Sequence, residues 1–348
     1  MKSFKYAIVT PSSMGVRITP LERQPVHISN VFMMQATNAE TNALSIASSL
    51  GLKTKVLTAF VKDSPISLFI KADLHKRGID YDGVDVPQGG PWGYRHQFNI
   101  ADSGYGYRAA RVGCDRAGEV GLTLNIKDFD THKIFKQDGA QIFFISGLVS
   151  ALSVELTEFC LELAKAAKAN GSKICFDLNY RDSMCCNRNQ KMSQSYKEIS
   201  KLCDIIIGND IAFGRCLGIK TPKVGAKNIV IDEYKDMLLS VKKDYPNAQT
   251  VISTLRQVTN SNENMWGAIT LSDNDLTVIE PKHISVLDRI GGGDAFAGGF
   301  MYGYLKEWDI ETCTKFGWAC GAIATTLLED YVTLFDENQV WEVFKNNN

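Results

Sequence analysis

Short apolar runs alternate along the chain with longer segments in which apolar residues recur at helical spacing. The runs at 6–10 and 55–60 predict buried strands, and the small and apolar residues of 38–50 lie on one helical face that ends at Gly51. A second helix is expected between Ser64 and Gly78. Because strands that alternate with helices form parallel sheets covered by helices, the pattern predicts an α/β fold.

The alternation is interrupted over about 12–36 and again over 79–119. Both stretches are irregular, and the second is rich in glycine and tyrosine with short alternating segments at 94–100 and 108–114. Together they predict a small second sheet. No repeat or linker divides 1–348, which predicts a single domain. The alternation then resumes, with strands expected at 142–145, 173–177, 204–208, 251–255 and 268–271, and with helices at 154–169, after the glycines of 291–293, at 311–328 and at 337–345.

Composition narrows the possible functions. The net charge of −1 gives no field that would draw the chain to nucleic acid or to an anionic membrane, and no apolar run is long enough to cross a bilayer. Nine cysteines and five histidines show no metal-ligand spacing, so we expect free thiols in the cytoplasm. The adjacent Cys185 and Cys186 are interpreted as a loop position rather than a redox site.

The strongest chemical signal is the run Asp288-Arg-Ile-Gly-Gly-Gly-Asp294, which is followed by an apolar helical segment. Consecutive glycines let successive backbone N–H groups turn toward one point, and a helix N-terminus adds partial positive charge to them. Asp294 would lie beside any anion bound there. A carboxylate next to an anion site suits phosphoryl transfer, in which it accepts the proton of the attacking hydroxyl.

This run resembles the C-terminal signature of the ribokinase-like (PfkB) carbohydrate kinases, and it is most similar to their 2-keto-3-deoxygluconate kinase branch. The resemblance implies a mostly parallel central sheet flanked by helices, a β-sheet lid over the sugar site that is often shared between subunits, and a homo-oligomer. It implies ATP and Mg²⁺ as cofactors, Asp294 as the base, and Gly291, Gly292 and Gly293 as the anion hole. We expect the helix N-terminus to keep Asp294 ionised and weakly basic.

The family's N-terminal sugar motif is only partly present. The family has Gly-Gly-x-x-x-Asn where this chain has Thr37-Asn38-Ala39-Glu40-Thr41-Asn42. Asn42 matches and is the expected sugar contact. The two replacements of glycine fit either helix capping by Asn38 or a stiffer lid with a different substrate preference.

Three arginines favour an acidic substrate. Arg116 and Arg181 match positions at which 2-keto-3-deoxygluconate kinases hold the substrate carboxylate, and Arg95 lies on a predicted lid strand. A guanidinium binds a carboxylate through two parallel hydrogen bonds, whereas a neutral sugar gives no such reason for its presence.

The signals for nucleotide and metal are weaker. The family's Asn-x-x-Glu is reduced to Asn209, with Asp210 as a possible substitute and Ala212 at the glutamate position, and no residue is expected to bind the metal directly. Thr254 and Arg256 match the strand end near the nucleotide, and the polar stretch 257–264 is expected either to fold over ATP or to form a surface loop. Gly321 is small enough to leave room for adenine or to allow close helix packing.

These observations predict ATP-dependent phosphorylation of a small-molecule sugar acid, with 2-keto-3-deoxygluconate favoured. Two alternatives stay open. One is a kinase for a neutral sugar such as fructose or ribose, and the other is a sugar-binding protein that has lost kinase activity, as the missing glycines and Ala212 suggest.

Overall fold

The computed structural model describes residues 4–184, 189–222 and 229–347, so Cys185 and Cys186 lie outside the described part. Nine strands form a large sheet in the order β13-β12-β11-β10-β9-β8-β1-β4-β5, and four form a second sheet in the order β3-β2-β6-β7. The large sheet is parallel from β11 to β5, while β11, β12 and β13 pair antiparallel at one end. The strands are β1 Tyr6–Pro11, β2 Gly15–Pro20, β3 Phe32–Thr37, β4 Thr54–Val61, β5 Ile79–Val86, β6 Gln97–Asp102, β7 Arg111–Asp115, β8 Ala140–Ser146, β9 Lys173–Asp177, β10 Ile205–Gly208, β11 Thr250–Asn260, β12 Glu263–Ser272 and β13 Asp275–Ser285.

Helices cover both faces of the large sheet. Alternate strand residues feed two separate cores: Val9 and Phe143 belong to one, and Ile8 and Ile142 belong to the other. This is the pattern of a sheet that is buried on both sides. None of the described helices is long and apolar enough to span a membrane. The helices are α1 Ala39–Ser49, α2 Pro65–Lys76, α3 Gly147–Ser150, α4 Val154–Ala169, α5 Asn189–Ser200, α6 Asp210–Ala212, α7 Ile231–Asp244, α8 Gly292–Leu305, α9 Ile310–Ala324 and α10 Glu337–Asn346.

The predicted α/β fold with a second, smaller sheet is therefore confirmed, but two expectations were wrong in detail. Residues 79–86, assigned to the lid, form β5, which pairs in parallel with β4 at the edge of the large sheet. The stretch 257–264 is not a loose loop, since it is the end of the β11–β12 hairpin, and its position over ATP stays a prediction. There the main-chain N–H of Ser261 donates to the Gly106 carbonyl at 2.9 Å, which ties the hairpin to the loop between β6 and β7.

Glycines on α8 let it pack unusually close to α1 and α9. A Cβ built on Gly298 would lie 2.3 Å from the Ala43 carbonyl oxygen of α1, and one on Gly299 would lie 2.8 Å from Cys320 Sγ of α9. Neither separation is possible for real atoms. Close approach of these helices thus requires glycine, and it places the N-terminus of α8 beside the start of α1.

Replacing Gly298 by Ala is expected to lower the free energy of unfolding by about 1–3 kcal/mol, because the added methyl group forces α1 and α8 apart. Gly293→Ala is the matched control, since its Cβ would meet no atom within 4 Å. Urea denaturation of the two variants measures the difference. Equal stabilities would contradict the packing argument.

Candidate active site

A cleft of about 840 Å³ lies between the two sheets. Its floor is formed by residues that follow the carboxyl ends of the parallel strands, such as Asn179 after β9, Asn209 after β10 and the N-terminus of α8. Its roof is one face of the second sheet, with Arg17, Thr37, Asn99, Ala101, Val112 and Cys114. Ligands of open α/β sheets bind at this end of the strands, so the cleft is the candidate active site.

The glycine turn forms one wall of the cleft. Gly291 has a φ of +86°, and a Cβ there would lie 2.1 Å from the Asp330 carbonyl oxygen, so only glycine fits. A Cβ on Gly293 would instead point into open space. The first N–H groups of a helix have no partner inside the helix, and α8 presents them at this open point. Gly292 packs behind them, near Thr325. The anion hole implied by the resemblance stays a prediction, with which this geometry is compatible.

Asp294 is held between two amides. Asn42 Nδ2 donates to Asp294 Oδ2 at 2.9 Å, and Asn179 Nδ2 donates to Asp294 Oδ1 at 3.4 Å. The first bond depends on the contact of α1 with α8 at Gly298. Both amides fix the orientation of the carboxylate, and they leave it facing the cleft that it lines.

The carboxyl groups at this end of the cleft are more basic than the sequence suggests. Burial raises the pKa of Asp294 to about 6, although the hydrogen bond from Asn42 and the charge of Arg181 oppose the shift. Burial, together with the charge of Asp294, raises the pKa of Asp177 to about 7. The helix N-terminus was expected to keep Asp294 ionised and weakly basic. A pKa of about 6 leaves the carboxylate ionised at neutral pH, but burial makes it more basic than an exposed aspartate.

Behind the glycine turn, one guanidinium joins the second sheet to it. Arg17 on β2 is 1% exposed and donates to Asp288 Oδ2 through Nη2 and to Asp330 Oδ1 through Nη1. Ser103, which follows β6, donates to Asp288 Oδ2 at 3.0 Å. Thr37 donates to Asp330 Oδ2 at 2.6 Å. Three elements of the second sheet thus bind the two aspartates beside the turn.

Thr37 and Asn38, which replace the family's glycine pair, are both buried and bonded. Asn38 is the N-cap of α1, with its side-chain oxygen accepting from the Ala39 N–H, and its Nδ2 donates to the Ser13 carbonyl at 2.6 Å. The capping interpretation of Asn38 agrees with this geometry.

The three arginines expected near the substrate differ in position. Arg116 lines the cleft, but its Nη1 donates to Glu119 Oε1 at 2.6 Å, so part of its charge is neutralised. Arg181 lines the cleft close enough to Asp294 to lower the pKa of that carboxyl. Arg95 lies outside the cleft lining, where it pairs with Asp115 and donates to the Ala117 carbonyl at 2.7 Å. Its contacts hold the loop that carries Arg116.

A cluster of positively charged side chains also lines the cleft, and its members are Arg181, Arg256 and Arg289. Burial lowers the pKa of Arg256, and the like charges of Arg289 and Arg181 lower it further, with only Asp210 acting in the opposite direction. Within the described part of the chain, neither Arg256 nor Arg289 forms a salt bridge. Cations that repel one another at the surface of a cleft form a site suited to a multiply charged anion.

Three other residues were expected at the nucleotide. Two of them line the cleft, and Gly321 does not. Thr254 and Asn209 line the cleft, and Asn209 Oδ1 accepts from the Ala212 N–H at 2.8 Å, which caps α6. Gly321 lies beneath the turn, where a Cβ would come within 2.8 Å of the Trp266 ring and 2.9 Å of the Gly292 carbonyl oxygen. Its small size is accounted for by this packing.

Sequence reasoning missed Asn179, Arg17, Asp330 and Arg289 as residues of the site. Asn179 was part of the strand-end run Asp-Leu-Asn-Tyr-Arg, which signalled its location, and Arg289 is next to Asp288 in the glycine-turn run. Arg17 and Asp330 are 313 positions apart, and no local pattern connects them.

Known proteins are similar to this chain in sequence and in fold. The family model for pfkB family carbohydrate kinases matches residues 39–332. The 5-dehydro-2-deoxygluconokinase of Clostridium botulinum is 24% identical over 97% of this chain and 93% of its own length. The 2-dehydro-3-deoxygalactonokinase of Haloferax volcanii is 25% identical over 93% of this chain and 92% of its own.

A solved structure shows the same fold. The 2-dehydro-3-deoxygluconokinase of Thermotoga maritima superposes with a TM-score of 0.88 at 25% identity, covering 98% of this chain and 99% of its own. The glycine turn with Asp294 lies inside the region that the family model matches. By its sequence match, its fold and the position of this turn, the chain belongs to the pfkB family of carbohydrate kinases.

Proposed function

We propose that this sugar kinase transfers the γ-phosphate of ATP to a hydroxyl of a keto-deoxy sugar acid, with 2-keto-3-deoxygluconate as the favoured substrate. The observation that carries the proposal is the position of Asp294, a basic carboxylate oriented by two amides beside the open N–H groups of α8. The relatives described above are named as kinases of three different keto-deoxy sugar acids, which favours this substrate class.

In this mechanism Asp294 accepts the proton of the attacking hydroxyl. Its pKa of about 6 leaves it ionised at neutral pH while making it a better base than an exposed aspartate. Its hydrogen bonds with Asn42 and Asn179 hold the carboxylate in one orientation. The N–H groups at the start of α8 stabilise the charge on the transferring phosphoryl group, and Gly293 leaves the space for it.

The part of the cleft that Arg256 and Arg289 line would hold the nucleotide phosphates. Arg256 and Arg289 lie close to each other and to Arg181, and a triphosphate would relieve their mutual repulsion. Mg²⁺, when bound, adds positive charge to these phosphates. Asp210 lines the cleft and is the carboxylate suited to hold the ion through water, since Asn209 already caps α6.

Arg181 is the proposed partner of the substrate carboxylate. It lines the cleft close enough to Asp294 to lower the pKa of that carboxyl, and Arg116 lies in the same cleft with its Nη1 bonded to Glu119. Arg116 therefore contributes less net charge than the resemblance implies. We retain it as a second contact, because a guanidinium has five N–H donors and the bond to Glu119 uses one of them.

The outer face of the second sheet fits the expected homo-oligomer. The face turned away from the cleft carries Phe32, Met34 and Ile100, which are between 39% and 41% exposed. In the sheet, Ile18 pairs with both Met34 and Ile100, so these side chains form one apolar patch on neighbouring strands. We propose that a second copy of the chain covers this patch.

The cytoplasmic location remains part of the proposal, supported by free thiols such as Cys160 and Cys175.

Asp294→Asn is expected to lower kcat by about 10²–10⁴-fold, because the amide cannot accept the proton. In the unsubstituted enzyme, kcat/KM for the sugar should fall as the pH decreases through about 6, since Asp294 becomes protonated. ADP release measured from pH 5 to pH 9, at roughly one-unit steps, tests both. An unchanged kcat in the variant would remove Asp294 from the mechanism.

The same substitution should stabilise the fold at high pH. The folded-state pKa of Asp294 is raised from 3.8 to about 6, so the stabilising effect of its protonated form is lost as the pH rises through 6. Asp294→Asn avoids this loss and should be more stable than the parent at about pH 8, by about 1–3 kcal/mol, with the difference vanishing near pH 4. Urea denaturation at the two pH values measures it. A less stable variant at both pH values would mean that its inactivity reflects misfolding.

Arg181→Ala is expected to raise KM for 2-keto-3-deoxygluconate by about tenfold or more, because a charge-assisted contact contributes about 1.5–3 kcal/mol. ADP release is measured with 2-keto-3-deoxygluconate, fructose and ribose as substrates. Turnover of a neutral sugar only, insensitive to Arg181, would favour the neutral-sugar alternative. Sugar binding without ADP release on any substrate would favour a binding protein without kinase activity. Lys243→Ala, which removes an exposed cation of α7 outside the cleft lining, is the control.

Met34→Glu should convert the proposed oligomer to a monomer, because a charge would then be buried at the centre of the apolar patch. Sedimentation velocity of the variant and the parent measures the change. Lys127→Glu, on the short turn at Ile126–Asp128, is the control for an added acidic residue away from the patch. A monomeric parent protein would contradict the proposal.

A further inference from the structure

Arg17 connects the second sheet to the glycine turn. Arg17 is on β2 of the second sheet, yet its guanidinium lies between two aspartates that flank the glycine turn of the other layer. Asp288 begins the turn and accepts from the Ile290 N–H at 3.0 Å. The Asp330 main-chain carbonyl packs against Gly291. One side chain therefore contacts both residues that shape the turn.

The charges of Arg17, Asp288 and Asp330 lie where they would act on an anion bound at the glycine turn. Asp288 and Asp330 are 1% and 2% exposed, and they lie beside a turn that we assign to phosphate. Two buried anions at such a place would repel an anionic ligand. Burial on its own would lower the pKa of Arg17, but the carboxylates of Asp330 and Asp288 outweigh it and raise that pKa. The guanidinium stays charged and offsets one of the two negative charges, and burial raises the pKa of Asp330.

The same network affects the pKa of Asp294, the proposed base. The charge of Asp330 contributes to the raised pKa of Asp294. Without Arg17, the charge of Asp330 would act on Asp294 uncompensated, and the pKa of the base would rise further. The same loss would free the second sheet at its ionic contact with the turn, leaving Ser103 and Thr37 as weaker hydrogen-bond donors.

We propose that Arg17 is a positioning residue that completes the phosphate site: a built-in cation, carried by the second sheet, that offsets half of the negative charge of Asp288 and Asp330 and fixes the glycine turn between them. The second sheet is then an electrostatic part of the phosphate site and not only a cover over the substrate. This rests on the proposed function only in taking the glycine turn as the place of the nucleotide phosphate.

The test uses the full chain with Arg17→Met and Arg17→Ala. We expect both variants to bind ATP about tenfold more weakly by titration calorimetry, and we expect the low-pH limb of kcat/KM to move upward by about one pH unit. Guanidinium chloride at millimolar concentration, well below denaturing levels, should restore ATP affinity in Arg17→Ala by filling the vacated site. Urea at the same concentration is the control, because it has nearly the same shape and no charge.

Two further variants separate charge from general instability. Leu163→Ala removes apolar volume from the core on the opposite face of the large sheet, so it should lose about 2–5 kcal/mol of stability without moving the pH profile. Arg17→Met combined with Asp330→Asn should recover part of the ATP affinity, because it removes one uncompensated carboxylate.

The results distinguish this inference from the proposed function. Rescue by guanidinium and not by urea, with recovery in the double variant, would support the role of Arg17 even if no sugar acid were phosphorylated, because ATP affinity is measured without a sugar. Unchanged ATP affinity in a folded Arg17→Met variant, or equal rescue by urea, would overturn the inference. Phosphorylation of no sugar by the unsubstituted chain would instead overturn the proposed function.

Discussion

The close packing of α8 against α1 and α9 is the constraint on which the candidate site depends. Gly298 allows the Ala43 carbonyl to approach α8, and this contact brings Asn42 within hydrogen-bonding distance of Asp294. It also places the first turn of α8 where the two sheets meet. The orientation of the base and the opening of the N–H groups toward the cleft are therefore consequences of helix packing, not of the glycine turn alone.

Both buried carboxyl groups and mutually repelling cations line the cleft. Asp294 and Asp177 have raised pKa values, while Arg256 lies near the like charges of Arg289 and Arg181. Both arrangements cost stability in the unliganded protein, since buried carboxylates resist ionisation and like charges repel. Each becomes favourable when a hydroxyl or a polyphosphate is present. Unfavourable electrostatics of this kind are typical of functional sites.

The sequence was sufficient to predict the α/β fold, the second sheet and the glycine turn, because each has a local signature. It was insufficient where side chains meet across the fold. The alternating, half-exposed residues of β5 resemble a lid strand, and only pairing with β4 assigns them to the large sheet. Arg17 and Asp288 are 271 positions apart. Helix position suggested an acidic Asp294, but the degree of burial, which decides its pKa, is a property of the whole fold.

The contacts between the second sheet and the glycine turn also have a thermal consequence. They are ionic and polar, with Arg17 at their centre, whereas α1, α8 and α9 are held together by apolar packing. The desolvation cost of ion pairs falls as temperature rises, while hydrophobic stabilisation per unit area reaches a plateau. The ionic link between the second sheet and the glycine turn should therefore weaken less on warming than the apolar packing of the helices does.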